Sequence, residues 1–207
     1  MWALVQDGTV TKTFNYAKGF VLNDTQYPKD IFTKWTTAEK EAIGIYEVIV
    51  DKTNYKDSEY YNNTDSTIAF ANNQVTESWG TATAKRLVDE NAVDENNNPL
   101  LDSDGNQIIN YGLKTEKKRI VKDQAAGLLA KTDWYVVKAT EVADYTVPAD
   151  ITIYRAAVRT KSNEMETAID DAADVDALKA LYEYTNTGTI ENPVYTRPLG
   201  EWPEEVI

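Results

Sequence analysis

The hydrophobic period changes once along this chain, and that change bounds the folds open to it. Up to about residue 80, apolar residues alternate with a period of two and are interrupted by tight-turn signals. From about residue 115 they recur at steps of three and four. Strands therefore belong to the front and helices to the back, an α+β arrangement. The expected architecture is a small antiparallel β-module with one short helix, then a helical region of about three helices. The expected division is a β-rich module over 1–90, a linker or small hairpin over 91–114, and a helical domain with an extended C-terminal tail over 115–207.

The front is read from its turns. Trp2, Leu4 and Gln6 share one side of an extended segment, and Ala3 and Val5 the other. Asp7-Gly8 then leads into TVTKTF, a hairpin signal because a tight primed turn needs positive φ. GFVLN reads as another short strand. Thr36 and Glu39 form a capping-box pair for a short helix that Gly44 stops, and IYEVIV (45–50) returns to strand. Residues 51–66 read as a long polar loop. TIAFA, Asn72-Asn73 and QVTESWG make a second hairpin, and TATAKRLVDE (81–90) reads as the start of a helix. No repeat of fixed period is apparent.

In the back half, Ile120, Val121, Ala125, Leu128 and Leu129 predict a helix over about 115–131, and residues 135–137 a short strand. Ile151, Tyr154, Val158, Met165 and Ile169 predict the longest helix, about 149–171, starting after Pro148. Asp174 caps a last helix carrying Val175, Leu178 and Leu181. The proline-bearing tail NPVYTRPLGEWPEEVI is expected to lie extended.

Charge and composition narrow the function classes. A net charge of −13 disfavours nucleic acid and anionic membranes, and no segment is long and apolar enough to span a bilayer. The N-terminus MWALVQDGTV lacks the basic and apolar regions of a signal peptide, so secretion by that route is not expected. Without Cys or His there is no disulfide, no Ser-His-Asp triad and no ordinary zinc site. No Gly-rich phosphate loop appears, so no cofactor and no metal is expected.

What remains are carboxylates and aromatics. Asp102-Ser103-Asp104-Gly105-Asn106 resembles the start of a calcium loop. With Gly105 at position six, positions one and twelve fall on Leu100 and Tyr111, so a turn or small hairpin is the reading kept. Glu164, Glu166, Asp170 and Asp171 lie along the long helix, where a solvated outer face outweighs acid–base chemistry. Arg155 and Arg159, four apart, fit structural ion pairs, with Asp133 or Glu164 as mates. Tyr55, Tyr60 and Tyr61 in the polar loop, with Trp79, are the candidate interaction residues. They would stack on sugar rings or anchor a protein interface, unless they fold back onto the sheet.

Three segments carry a resemblance. These are Leu128-Leu129-Ala130-Lys131-Thr132-Asp133-Trp134, Tyr154-Arg155-Ala156-Ala157-Val158-Arg159, and Trp202-Pro203. Together they resemble the C-terminal region of the tail-fibre assembly proteins of tailed bacteriophages, over about residues 116–203, and the opening MWALVQDGTV is loosely similar to the β-module that begins such proteins. This sequence departs from the pattern by an extra helix, about 174–184, before Trp-Pro. The resemblance implies a non-enzymatic structural or adaptor protein whose partners are other tail or fibre proteins. It implies a place on the virion tail or in the host cytoplasm during assembly. A carbohydrate-binding module that touches a host glycan receptor is the alternative, and a homo-oligomer is admitted. On residue chemistry, Asp133, Trp134, Tyr154, Arg155, Arg159 and Trp202 hold the fold. Trp134 is expected to fold over Leu128 and Leu129, Asp133 to receive an arginine, and Trp202 to clamp the tail. The binding surface is expected on the β-module or its tyrosine loop.

Overall fold

In the computed structural model, which describes residues 1–206, the opening alternation forms strand β1 (Trp2–Gln6), the centre of the first of two compact units, Met1–Thr83 and Ala84 to the C-terminus. Asp7 and Gly8 both take positive φ, and β2 (Thr9–Phe14) folds back on β1 from Gln6↔Thr9 to Trp2↔Phe14. A second hairpin, β3 (Phe20–Leu22) and β4 (Thr25–Tyr27), turns the same way through Asn23 and Asp24, again both at positive φ.

Two short helices follow where one was expected, α1 (Ile31–Lys34) and α2 (Thr37–Glu41). The second has the full capping box between Thr36 and Glu39, and the chain turns at Gly44 with φ +80° into β5 (Ile45–Asp51). After β6 (Tyr61–Asn62) the Asn72-Asn73 hairpin joins β7 (Ser66–Ala71) to β8 (Gln74–Trp79).

The main sheet has the order β2-β1-β5-β8-β7. The expectation of antiparallel pairing fails at one ladder: β5 and β8 run parallel, with Val48 opposite Val75. The connection over 52–65 is long enough to carry the chain past β5 before the β7–β8 hairpin forms, which a tight turn cannot do. β1 is interior to the sheet, and both its faces are covered. Leu4 joins Phe14, Phe20, Ile31, Phe32 and Ile45 on one side, and Ala3 joins Val48 and Val75 on the other. Phe14 lies 4.9 Å from Phe20 and 5.3 Å from Phe32 between ring centroids.

The second unit begins at strand β9 (Thr83–Ala84), which lies at the junction. The helix expected from 81–90 does not form. Its backbone is committed elsewhere, because the carbonyls of Arg86 and Leu87 accept from the first N–H groups of helix α3 (Leu113–Ala130) at 2.9 and 3.0 Å. Gly112 makes this approach possible, since a Cβ there would lie 2.5 Å from the backbone of Val88. Between these segments come β10 (Glu90–Asn91) and β11 (Ile109–Asn110), which pair with each other, so the stretch expected as a linker or small hairpin is folded.

Residues 135–137, expected as a strand, lie in helix α4 (Asp133–Glu141). Val136 and Val137 suggested β-structure, but no neighbouring strand is there to pair with them, and a helix satisfies its own backbone. Helix α5 (Ala149–Asp171) has the expected bounds and buries Ile151, Tyr154, Val158, Met165 and Ile169. Asp174 caps α6 (Val175–Ala180) by accepting from Ala177 N at 2.8 Å. The tail is not wholly extended: β12 (Thr185–Asn186) and β13 (Tyr195–Thr196) form a small hairpin.

Gly44 offers a direct test of the front unit. Its φ is positive, and a Cβ would meet the Val5 carbonyl oxygen at 2.5 Å, where the Gly44 carbonyl already accepts from Val5 N. Gly44→Ala is expected to destabilise the unit by about 1–3 kcal/mol in urea titration. An unchanged midpoint would show that this turn relaxes freely.

Candidate interaction site

The tyrosine loop does not present the surface expected of it. Tyr60 and Tyr61 are buried, so two of the four candidate aromatics fold inward. Tyr55 stays 43% exposed and meets Trp79 edge-on, with centroids 5.2 Å apart. Two of the loop's amides are also committed. Asn54 Nδ2 donates to the Trp79 carbonyl at 3.1 Å, and Asn63 bonds both the N–H and the carbonyl of Lys56 at 2.8 Å. A sugar platform would need exposed rings beside free amides.

In the second unit, Arg155 is the organising group. Its side chain is buried, and Nη1 donates to the Leu129 carbonyl at 2.8 Å and to the Thr132 hydroxyl at 2.6 Å. Nη2 meets the Asp133 carboxylate at 2.8 Å. The guanidinium thus closes the end of α3, fixes the turn and holds the first turn of α4. Arg159 does not share Asp133; it donates to the Arg155 carbonyl at 3.4 Å. Trp202 Nε1 donates to Gln124 Oε1 at 3.0 Å, and the residue packs against the buried cluster of Ala125, Tyr154 and Val158, as Leu128 and Leu129 also do. Trp134 behaves differently from expectation. It is half exposed and stacks on Tyr135 at 3.8 Å rather than covering Leu128 and Leu129, because α4 carries it outward. Burial raises the Tyr154 pKa, with Glu205 adding to the rise and Lys131 opposing it.

Glu164, Glu166 and Asp170 are held by Lys161, Lys122 and Lys118 in surface ion pairs. An open recess of about 610 Å³ beside the β1–β2 turn and Gly44 has Asp7 as its one carboxylate, so it offers no carboxylate pair. Among the described residues no group of His, Cys, Asp and Glu is arranged to hold a metal ion, and no helix is long and apolar enough to cross a membrane.

The feature missed in the sequence lies over residues 92–110, which contain an eight-residue repeat. Ala92-Val93-Asp94, Leu100-Leu101-Asp102 and Ile108-Ile109-Asn110 occupy equivalent positions. The backbone N–H groups of Ala92, Leu100 and Ile108 donate around a closed ring: Ala92 to Ile108 at 2.8 Å, Ile108 to Leu100 at 2.9 Å, and Leu100 to Ala92 at 2.9 Å. Gln107 plugs the ring, with Nε2 at 2.8, 3.1 and 2.9 Å from the carbonyl oxygens of Ala92, Leu100 and Ile108. Two corners are matching turns closed by the bridges Val93↔Pro99 and Leu101↔Gln107, with Asn97 and Gly105 at positive φ in equivalent places. In each, an aspartate accepts backbone N–H groups two and four residues on: Asp94 from Asn96 and Asn98, and Asp102 from Asp104 and Asn106. The β10–β11 ladder makes the third corner, and the whole is pseudo-three-fold. The turn expected at Asp104-Gly105 is therefore one corner of a larger motif. The signal was the apolar-apolar-Asp/Asn triplet at a spacing of eight.

No family model matches this chain. No curated protein and no solved structure is similar to it in the same comparisons.

Two predictions follow from the geometry. Arg155→Leu, which takes the guanidinium donor from the Thr132 hydroxyl and leaves the Leu129 carbonyl with its bonds from Thr132, is expected to cost about 3 kcal/mol in denaturant unfolding. Asp133→Asn, at a carboxylate 58% exposed, should cost under about 1 kcal/mol. Equal losses would show that the ion pair, not the two neutral acceptors, carries the stabilisation. Hydrogen bonds from the Asn98 side chain and N–H hold Asp94 below the ordinary carboxylate range, and the Asn106 N–H does the same for Asp102. The turns' contribution is thus present above the unfolded Asp value of about 3.9 and is lost as pH falls through the lower folded values. Amide resonances of Asn98 and Asn106 should titrate below that value. Titration at or above it would contradict the bonding described.

Proposed function

We propose that this chain is a non-enzymatic bacteriophage tail-associated structural or adaptor protein of the tail-fibre assembly type, which binds another tail or fibre protein. The observation that carries the reading is the convergence of the three resembling segments. Arg155 in 154–159 grips Leu129, Thr132 and Asp133 in 128–134, and Trp202 packs against the cluster of Ala125, Tyr154 and Val158 that Leu128 and Leu129 also join. Segments that depend on one another in this way pack as a single unit, which supports reading them together. The non-catalytic part of the reading rests on the lack of His and Cys and on the ion pairs that hold Glu164, Glu166 and Asp170 of α5. The glycan alternative draws on Tyr55 and Trp79 alone, since Tyr60 and Tyr61 are buried.

Quantitative mass spectrometry of purified phage particles and of unassembled fibre complexes from infected cells tests the proposal. Recovery at fixed stoichiometry in the particles is expected of a permanent tail component. Recovery only with unassembled fibre is expected of an assembly factor. Recovery in neither overturns the proposal.

A further inference from the structure

Helix α3 carries a glycine that the chain's own packing does not require. Gly127 lies in the helix interior, where only proline is a poorer helix former. Its φ is not positive, and beyond its own helix backbone a Cβ there would meet nothing within 4 Å. A glycine in such a place suits a backbone that a second chain approaches closely.

The surface around it is the outer face of α3. Val121 and Ala125 turn inward. Ile120, Asp123, Gly127 and Lys131 follow one another at steps of three and four on the exposed side, and Ala126 and Ala130 are in water beside them. Ile120 is 43% exposed. Leu128 and Trp202 join Gly127 and Lys131 around an open recess of about 410 Å³. The surface is thus low at Gly127, with apolar groups beside it and a charge about one helical turn away on either side.

Those charges select the occupant. Asp123 precedes Gly127 by four residues and Lys131 follows it by four. Two copies of α3 crossing antiparallel at Gly127 set each Asp123 beside the other copy's Lys131, so one two-fold axis satisfies both pairs. A partner presenting one sign of charge would meet Asp123 or Lys131 with like charge. The Asp123 carboxylate has no hydrogen bond or ion pair among the described residues. Lys131 pairs with Glu205, but their side chains are 49 and 41% exposed, and a pair in water exchanges at little cost. The net charge of −13 opposes association at long range, and physiological salt screens it beyond about 8 Å.

We infer that the outer face of α3 is a two-fold interface between copies of this chain, crossed antiparallel at Gly127 and fixed by reciprocal Asp123–Lys131 ion pairs. The inference is independent of the proposed function, since no other protein enters its test.

Sedimentation equilibrium of the purified full-length chain supplies that test. The wild-type chain is expected to form dimers. Gly127→Gln is expected to keep or raise the melting temperature while weakening the dimer about tenfold or more, because its side chain has room on one chain and none between two. Asp123→Lys and Lys131→Asp are each expected to weaken the dimer about tenfold. An equimolar mixture of these two variants is expected to regain the wild-type association, because both pairs across a mixed interface again join opposite charges. Loss of the Lys131–Glu205 pair within one chain cannot produce that recovery. A wild-type chain that stays monomeric at every concentration overturns the inference, as does a dimer that all three variants leave unchanged. Weakened variants that mixing fails to restore overturn the reciprocal pairing.

Discussion

A buried guanidinium must have its donors satisfied, and in the second unit Arg155 meets that demand with groups from three consecutive pieces of chain. Leu129 gives a carbonyl at the end of α3 that also accepts from the Thr132 N–H and hydroxyl, Thr132 the hydroxyl of the connecting turn, and Asp133 a carboxylate at the start of α4. Each acceptor sits where a helix ends or begins. The arginine therefore fixes the direction in which α4 leaves α3, and with it the outward position of Trp134. The Tyr154–Val158 face of the same helix receives Trp202, so the tail is held by the element that holds the turn.

Three parts of the molecule reach stability by different means, and the difference bears on function. The first unit buries both faces of β1 and tucks two of its loop tyrosines inward, which leaves little apolar surface in its loop for a partner. The helical pair α3 and α5 is a conventional apolar seam, reinforced by Lys118–Asp170 and Lys122–Glu166 pairs that contribute little individually. The motif over 92–110 is held by hydrogen bonds, with Gln107 Nε2 bonded to the carbonyl oxygens of Ala92, Leu100 and Ile108. Closure by hydrogen bonds leaves Val93, Leu100, Leu101 and Ile108 exposed.

Local signals in the sequence were sufficient wherever one residue type or one period dictates one backbone state. Asp7-Gly8 and Asn72-Asn73 turn as read because positive φ suits them, the Thr36–Glu39 box forms because its two bonds lie within one turn, and α5 runs from Ala149 to Asp171 because its stripe is unbroken. The Arg155–Asp133 pair was one of two pairings the sequence offered, Glu164 being the other mate, and the fold chose between them.

Tertiary structure decided the rest. A period of two gives the faces of β5 and β8 but not their mutual direction, which the connection over 52–65 allows to be parallel. Tyr60 and Tyr61 sit in a polar stretch, and only packing determines that they turn inward while Tyr55 stays out. Val136 and Val137 favour strand locally, yet a strand needs a neighbour and none is present, so α4 forms. The triplets at 92, 100 and 108 mean little in one dimension; the ring of hydrogen bonds that makes them equivalent exists only when the chain has closed on itself. The sequence by itself determined the states that single residues and short periods impose. Pairing direction, side-chain burial and the three-fold ring depend on contacts between distant residues, and those were left to the fold.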